Sequence, residues 1–121
     1  MNRCDQNLMT RYALAFALLL PIAAEANFAK CLLDQLPGAQ NDVAANAIWQ
    51  TCMGKYPGGM ASVGQGSGRG WFSFKSGAEC TAKKAVDTRS NRAASMINAA
   101  CRKLYDTPAA AFDPSTARRA D

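Results

Sequence analysis

The sequence contains no histidine among its 121 residues. This absence removes the side chain that most often acts as a general base or activates a serine or cysteine nucleophile. It also removes the ligand that most zinc sites share, and no C-x-x-C motif supplies paired thiolates or a thioredoxin-like redox centre. We therefore expect no catalytic residues, no metal site and no cofactor.

Carboxylates are also scarce, since nine Asp and Glu stand against 14 Lys and Arg. A glycosidase-type mechanism needs two carboxyl groups that flank the bond to be cleaved. Beyond residue 26 the only glutamate is Glu79, and its spacing from Ser76 explains it as a capping-box residue. The aspartates in predicted helices, turns or caps are Asp34, Asp42, Asp87, Asp106 and Asp113. The sequence therefore does not predict an enzyme.

No apolar run is long enough to span a bilayer, which takes about 20 residues. The longest run is YALAFALLLPIAA (12–24), with Arg3 and Arg11 before it and the small-x-small sequence Ala24-Glu25-Ala26 at its end. This arrangement predicts a secretory signal peptide over residues 1–26 rather than an uncleaved membrane anchor. We expect the 95 residues that remain after cleavage to be periplasmic or secreted, without a membrane span.

Four cysteines remain after this cleavage, and an even number in an exported chain indicates disulfides formed in an oxidising compartment. Cys31 and Cys52 are 21 residues apart, and Cys80 and Cys101 have the same separation. Four cysteines allow three pairings. The equal spacing favours Cys31–Cys52 and Cys80–Cys101.

The equal spacing extends to the residues around the cysteines. AANAIWQTCMGKY (44–56) aligns with AASMINAACRKLY (93–105), and seven of the 28 aligned positions in 29–56 and 78–105 are identical. Within each segment Ala, Ile, Cys and Tyr recur at every fourth residue, which places them on one face of a helix. The pattern predicts an internal duplication in which this face packs on the first helix of its own repeat.

Capping and breaking residues divide each repeat into two helices. Asn27 and Asn41 are suited to cap the first two helices, with Pro37-Gly38 between them. Ser76 and Ser90 stand at the corresponding starts in the second repeat.

The predicted fold is therefore all-α, with two disulfide-stapled helical hairpins in a single domain over residues 27–107. The hairpins occupy 27–57 and 76–107, and a glycine-rich linker over 58–75 joins them. The tail over 108–121 is rich in small residues and proline, so we expect it to be flexible.

The linker region supplies the first candidate site. PGGMASVGQGSGRG (57–70) has the composition of a flexible connector and lacks the spacing of a phosphate-binding loop. The segment WFSF follows and contains Trp71, Phe72 and Phe74. These aromatics either cover the gap between the two hairpins or form an exposed patch for a ligand or partner.

Positive charge supplies the second candidate site. The formal net charge is +5, and the second repeat carries most of the excess. The candidate binding residues there are Lys83, Lys84, Arg89 and Arg92. They form either a solvated face or a contact with an anionic partner. No dense basic stripe with interleaved aromatics is present, so a nucleic acid is not expected.

The sequence thus predicts a small exported, non-catalytic binding or accessory protein. High alanine content and the lack of an N-x-S/T site favour a bacterial source, and we expect the exported protein to act in the cell envelope. Its partner would be an anionic envelope component or a protein. The alternative is a secreted inhibitor or toxin-like factor that acts on a protein partner.

Overall fold

The computed structural model describes residues 26–108. The predicted signal peptide and the predicted tail therefore lie outside the described residues, apart from Ala26 and Pro108. Within the described range the chain forms four α-helices and one short 3-10 helix, with no strand, which confirms the all-α class. The elements in chain order are α1 (Phe28–Gln35), α2 (Asp42–Lys55), the 3-10 helix (Gly59–Ser62), α3 (Gly77–Lys84) and α4 (Asn91–Tyr105).

Each α-helix begins one residue after a predicted cap. At each cap the side-chain oxygen accepts a hydrogen bond from the backbone N–H three residues later, which satisfies a donor that has no partner inside the helix. Only half of the predicted capping box forms, because the Glu79 carboxylate accepts the N–H of Lys75 at 2.8 Å rather than that of Ser76. The four caps are Asn27, Asn41, Ser76 and Ser90.

The turn after α1 lies against the turn after α3. Gly38 has a φ of 82°, a left-handed conformation that glycine adopts without strain. Its N–H donates to Thr88 Oγ1 at 3.0 Å. The carbonyl of Ala39 accepts the N–H groups of both Arg89 and Ser90. Backbone hydrogen bonds therefore connect the two turns directly.

Two disulfides connect the helices in pairs. Cys31–Cys52 links α1 to α2 and Cys80–Cys101 links α3 to α4, which is the pairing that the equal spacing favours. The Cα atoms are 5.8 Å apart in the first bridge and 5.5 Å apart in the second. Both separations lie within the range that a disulfide requires.

The core is built around α4, which packs against α1, α2 and α3. Because α4 has neighbours on several sides, its apolar face is completely covered. The core residues that α4 contributes are Ala93, Ile97, Ala100, Cys101 and Leu104. Those from α1 and its C-cap are Phe28, Ala29, Cys31, Leu32, Leu33 and Leu36.

The predicted face of α2 is only partly buried. Cys52 is buried, but Ala44, Ile48 and Tyr56 are half-buried, and Ala45 is the other fully covered side chain of this helix. The reason is position, since α2 packs on α1 and on one side of α4, and no other described helix packs extensively on it. The matching residues of the two predicted repeats therefore have different environments.

The glycine-rich linker is hydrogen-bonded to the end of α4, which its composition does not indicate. The N–H of Gly66 donates to the Lys103 carbonyl at 2.8 Å, and that of Gly68 donates to the Leu104 carbonyl at 2.9 Å. Carbonyls in the last turn of a helix have no partner inside the helix, so these bonds satisfy them. A Cβ on Gly68 would lie 2.9 Å from the Cβ of Leu104, so glycine permits the approach.

Candidate functional site

Two adjacent aromatic side chains project from a turn between the 3-10 helix and α3. Trp71 is 99% exposed and Phe72 is 104% exposed, more than any other large hydrophobic residue in the described part of the chain. We call residues 70–74 the aromatic turn. Large apolar side chains that stay in water next to one another are typical of interaction sites.

Hydrogen bonds hold the aromatic turn in place. The N–H of Gly70 donates to Ser73 Oγ at 2.8 Å, which closes the turn. On its N-terminal side, Arg69 Nη1 donates to the carbonyl of Tyr105 at 2.6 Å and to that of Lys75 at 3.2 Å. The exposed rings therefore stand on a backbone that is fastened to the end of α4.

Phe74 has a different role from its two neighbours. Its ring is half-buried and meets the ring of Tyr105 edge to face, with centroids 5.2 Å apart. Burial raises the pKa of the Tyr105 hydroxyl above its ordinary value, and the negative charge of Asp34 raises it further. The structure thus places Phe74 at the edge of the core and leaves Trp71 and Phe72 in solvent.

Basic residues are in excess around the aromatic turn. They outnumber the acidic ones by four to three, with Asp34 counted because its charge acts on Tyr105. The other two carboxylates have partners, since Glu79 accepts the N–H of Lys75 and Asp106 accepts the N–H of Gly77 at 2.7 Å. Asp106 also pairs with Arg102 at 3.3 Å. The four basic residues are Arg69, Lys75, Arg102 and Lys103.

The basic residues singled out in the sequence lie at the other end of α4. Arg92 belongs to its first turn and Tyr105 to its last, so the two are 13 residues apart. At a rise of about 1.5 Å per residue, roughly 20 Å of helix separates them. The aromatic turn and this basic group therefore do not form one site. The group consists of Lys83, Lys84, Arg89 and Arg92.

A cleft of about 350 Å³ lies at this basic end, between α1 and α3. Its charges balance, because its lining contains Lys83 and Lys84 together with Asp34 and Asp87. A site for an anion would need an excess of positive charge within the cleft. The cleft therefore gives no support to an anionic ligand at Lys83 and Lys84.

Three of the five carboxylates in the described residues, and all four cysteines, have structural partners. Asp42 accepts a hydrogen bond from Ser90 Oγ, and Asp106 bonds to both Gly77 and Arg102. Between residues 26 and 108, no group of three or more His, Cys, Asp or Glu is placed to hold a metal ion. In the same range no helix is long and apolar enough to cross a membrane. Asp113 lies outside the described residues.

Comparison with known proteins identifies no relative. No protein-family model matches the chain, and no curated protein or solved structure matches it either. The function is therefore inferred from the exposure, contacts and charges of the chain's own residues.

Proposed function

We propose that the chain is a small exported binding or accessory protein of the bacterial cell envelope and that it contacts its partner through Trp71 and Phe72. The observation that carries this proposal is the complete exposure of both rings on a turn bonded to α4. Exposed aromatic side chains lower the solubility of a protein and are retained where a partner covers them. Because the turn is already attached to α4, its backbone loses little conformational entropy when the rings bind a partner.

The two disulfides support export. Such bonds persist in the periplasm or outside the cell, and reducing conditions in the cytosol break them. Cleavage of the predicted signal peptide after Ala26 would make Asn27 the first residue of the mature chain. Asn27 caps α1 through a hydrogen bond from the N–H of Lys30 at 3.0 Å. The mature protein would then begin at the first residue that the fold uses.

We also propose that the fold arose by duplication of a disulfide-stapled helical hairpin. Three observations support this. Both bridges span 21 residues, both join consecutive helices, and both pairs of helices begin at caps in corresponding positions. The different burial of α2 and α4 follows from how the two units pack, since only one copy of the second helix is central.

Binding to envelope material tests the proposed function. The mature chain with both disulfides formed is incubated with an envelope fraction and compared with the double variant Trp71→Ala/Phe72→Ala. The matched control is Val43→Ala/Val86→Ala, which trims two exposed side chains far from the aromatic turn. Phe74 is left unchanged because it packs on Tyr105.

We expect the parent chain and the control to stay with the envelope fraction and the aromatic variant to be released. Equal retention of all three proteins would contradict a role for Trp71 and Phe72. Circular dichroism of each variant establishes that the helices are unchanged, so a loss of binding is assigned to the two rings.

A secreted inhibitor or toxin-like factor is the second candidate. The observation that favours it is the fastened aromatic turn itself, since a rigid projecting turn fits the cleft of a protein partner. Location separates the two candidates. The processed chain is found with the envelope fraction in the first case and in the culture supernatant in the second.

A further inference from the structure

We propose that the aromatic turn docks the protein on a lipid bilayer that contains anionic phospholipids, with Trp71 and Phe72 inserted at the level of the headgroups. This inference rests on the proposed function, because it names the partner of the same surface. Shape, charge and rigidity of the turn each contribute to it.

The shape of the turn favours a soft partner. Trp71 and Phe72 are fully exposed, and neither lines the clefts that border α1. The rings therefore form a projection rather than a flat or hollow patch. A bilayer accepts such a projection without a matching pocket, and the headgroup region is where tryptophan rings are enriched in membrane proteins.

The charge around the turn suits an anionic surface. Residues 57–75 contain no acidic side chain, while Arg69 and Lys75 flank the two rings. Arg102 and Lys103 lie at the end of α4 to which the turn is bonded. With Glu79, Asp106 and Asp34 counted, one positive charge remains in excess at this end. Basic residues near a membrane surface are attracted to anionic lipids, and salt weakens that attraction.

The contacts between the aromatic turn and α4 limit how deeply the turn can insert into a bilayer. Arg69 joins the turn to the carbonyl of Tyr105, and Phe74 packs on the ring of Tyr105. Only the two rings at the tip are free to leave water. Two apolar side chains and a few charges give shallow, reversible attachment, since stable anchoring requires more than one signal. The protein would be a peripheral one that salt releases from the surface.

Tryptophan fluorescence reports directly on this insertion. The chain has two tryptophans, so Trp49→Phe leaves Trp71 as the single emitter. Phenylalanine at position 49 keeps the aromatic contact with Phe28, whose centroid lies 6.4 Å from that of Trp49. The probes are vesicles of phosphatidylcholine alone and vesicles of phosphatidylcholine mixed with phosphatidylglycerol. We expect the emission of Trp71 to shift to the blue, and to resist an aqueous quencher, with the mixed vesicles at low salt.

Variants separate the contributions of the rings and the charges. In vesicle sedimentation, Trp71→Ala/Phe72→Ala should reduce partitioning into mixed vesicles at least about tenfold. Lys75→Gln should reduce it about fivefold, because it removes one exposed charge next to the two rings. Val43→Ala/Val86→Ala is the control and should partition like the parent chain, since both valines are exposed away from the turn.

Two results would overturn the lipid partner. One is an emission of Trp71 that stays unchanged when mixed vesicles are added at low salt. The other is equal binding to vesicles with and without phosphatidylglycerol, which would remove the role of charge. If the chain still binds lipid-free envelope proteins through Trp71 and Phe72, the proposed function stands with a protein partner. If it binds neither vesicles nor envelope material, both proposals fail.

Discussion

Ser90 and Asp42 connect the two disulfide-linked pairs of helices through one short hydrogen bond. Ser90 Oγ donates to Asp42 Oδ1 at 2.5 Å and accepts the N–H of Ala93 at 3.0 Å. The serine is buried, with 3% of its surface exposed. One hydroxyl therefore caps α4 and holds the first turn of α2 against it. A hydrogen bond from a hydroxyl to an ionised carboxylate is stronger than a hydrogen bond between two neutral groups.

Removal of this hydroxyl should destabilise the protein more than removal of an exposed cap. Ser90→Ala should lower the free energy of unfolding by about 2 kcal/mol, because the cap is lost and Asp42 keeps only its longer hydrogen bond, from the N–H of Arg92 at 3.4 Å. Asn41→Ala is the matched control, since Asn41 caps α2 from an exposed position and should cost about 1 kcal/mol. Urea unfolding of the oxidised chain measures both values. Equal losses for the two variants would show that the Asp42 contact contributes nothing.

A double-mutant cycle isolates the link between the two residues. Ser90→Ala, Asp42→Ala and the double variant should give a coupling of about 1 kcal/mol, because each single change removes the same hydrogen bond. Additive losses within the error of the measurement would contradict a direct interaction in solution.

Two glycines should respond in opposite ways to replacement by alanine. A Cβ on Gly77 would lie 2.7 Å from the Cα of Arg102 and 3.0 Å from its backbone N, so α3 would have to move away from α4. Gly77→Ala should therefore lower the free energy of unfolding by about 1–3 kcal/mol. Gly54 lies in α2, and no atom lies within 4 Å of a Cβ added there. Gly54→Ala should therefore raise the free energy of unfolding by about 0.5 kcal/mol.

Thermal unfolding followed by circular dichroism compares these two variants with the parent chain. Gly77→Ala should melt at a lower temperature than the parent chain, and Gly54→Ala at a slightly higher one. A Gly77→Ala protein that melts like the parent would show that the close approach of α3 to α4 is not required.

Local signals in the sequence were enough to predict the helix starts and the disulfides. A capping side chain acts within three residues, and the four caps are where short-range chemistry puts them. The cysteines repeat at one spacing, which favoured the bridges that are present. The central position of α4 in the core could not be predicted from these local signals. Both predicted repeats carry the same pattern of residues four apart, and the neighbours of each helix decide how much of it is buried.

The candidate site was predictable only in part. Trp71, Phe72 and Phe74 lie in a segment without periodicity, so nothing local distinguishes the ring that packs on Tyr105 from the two that face solvent. The bonds from the glycine-rich linker to α4 join residues far apart in the chain, and composition does not reveal them. The separation of the basic group from the aromatic turn was predictable from the sequence, because the predicted length of α4 lies between them.

The two disulfides should differ in their resistance to reduction. Cys31 is 8% exposed and borders a cleft of about 250 Å³, whereas Cys80 and Cys101 are completely buried. A reductant must reach a sulfur atom to attack it, so Cys31–Cys52 should open first. Limited reduction, alkylation and peptide mass spectrometry measure the order. Opening of Cys80–Cys101 first, or of both bridges together, would contradict the burial that the structure shows.

Alkaline pH should weaken the fold through Tyr105. Burial, and secondly the charge of Asp34, raise the pKa of this tyrosine in the folded state above its ordinary value of 10.0. A group whose pKa is higher in the folded than in the unfolded state binds its proton more tightly when folded. Its contribution is therefore complete below the unfolded pKa and is lost as the pH rises through the folded one.

Tyr105→Phe tests this dependence, because phenylalanine keeps the ring that Phe74 contacts and removes the ionisable hydroxyl. The free energy of unfolding, measured in urea at a series of pH values, should fall less steeply above pH 10 for the variant than for the parent chain. Asp34→Asn should also reduce the fall, since the charge that opposes ionisation of Tyr105 is gone. Tyr56→Phe, at the equivalent position of the first predicted repeat, should leave unchanged the alkaline loss of stability that Tyr105 causes. If the free energy of unfolding of Tyr105→Phe falls as steeply above pH 10 as that of the parent chain, other groups cause the fall. The Tyr105 hydroxyl would then have the same pKa in the folded and unfolded chains.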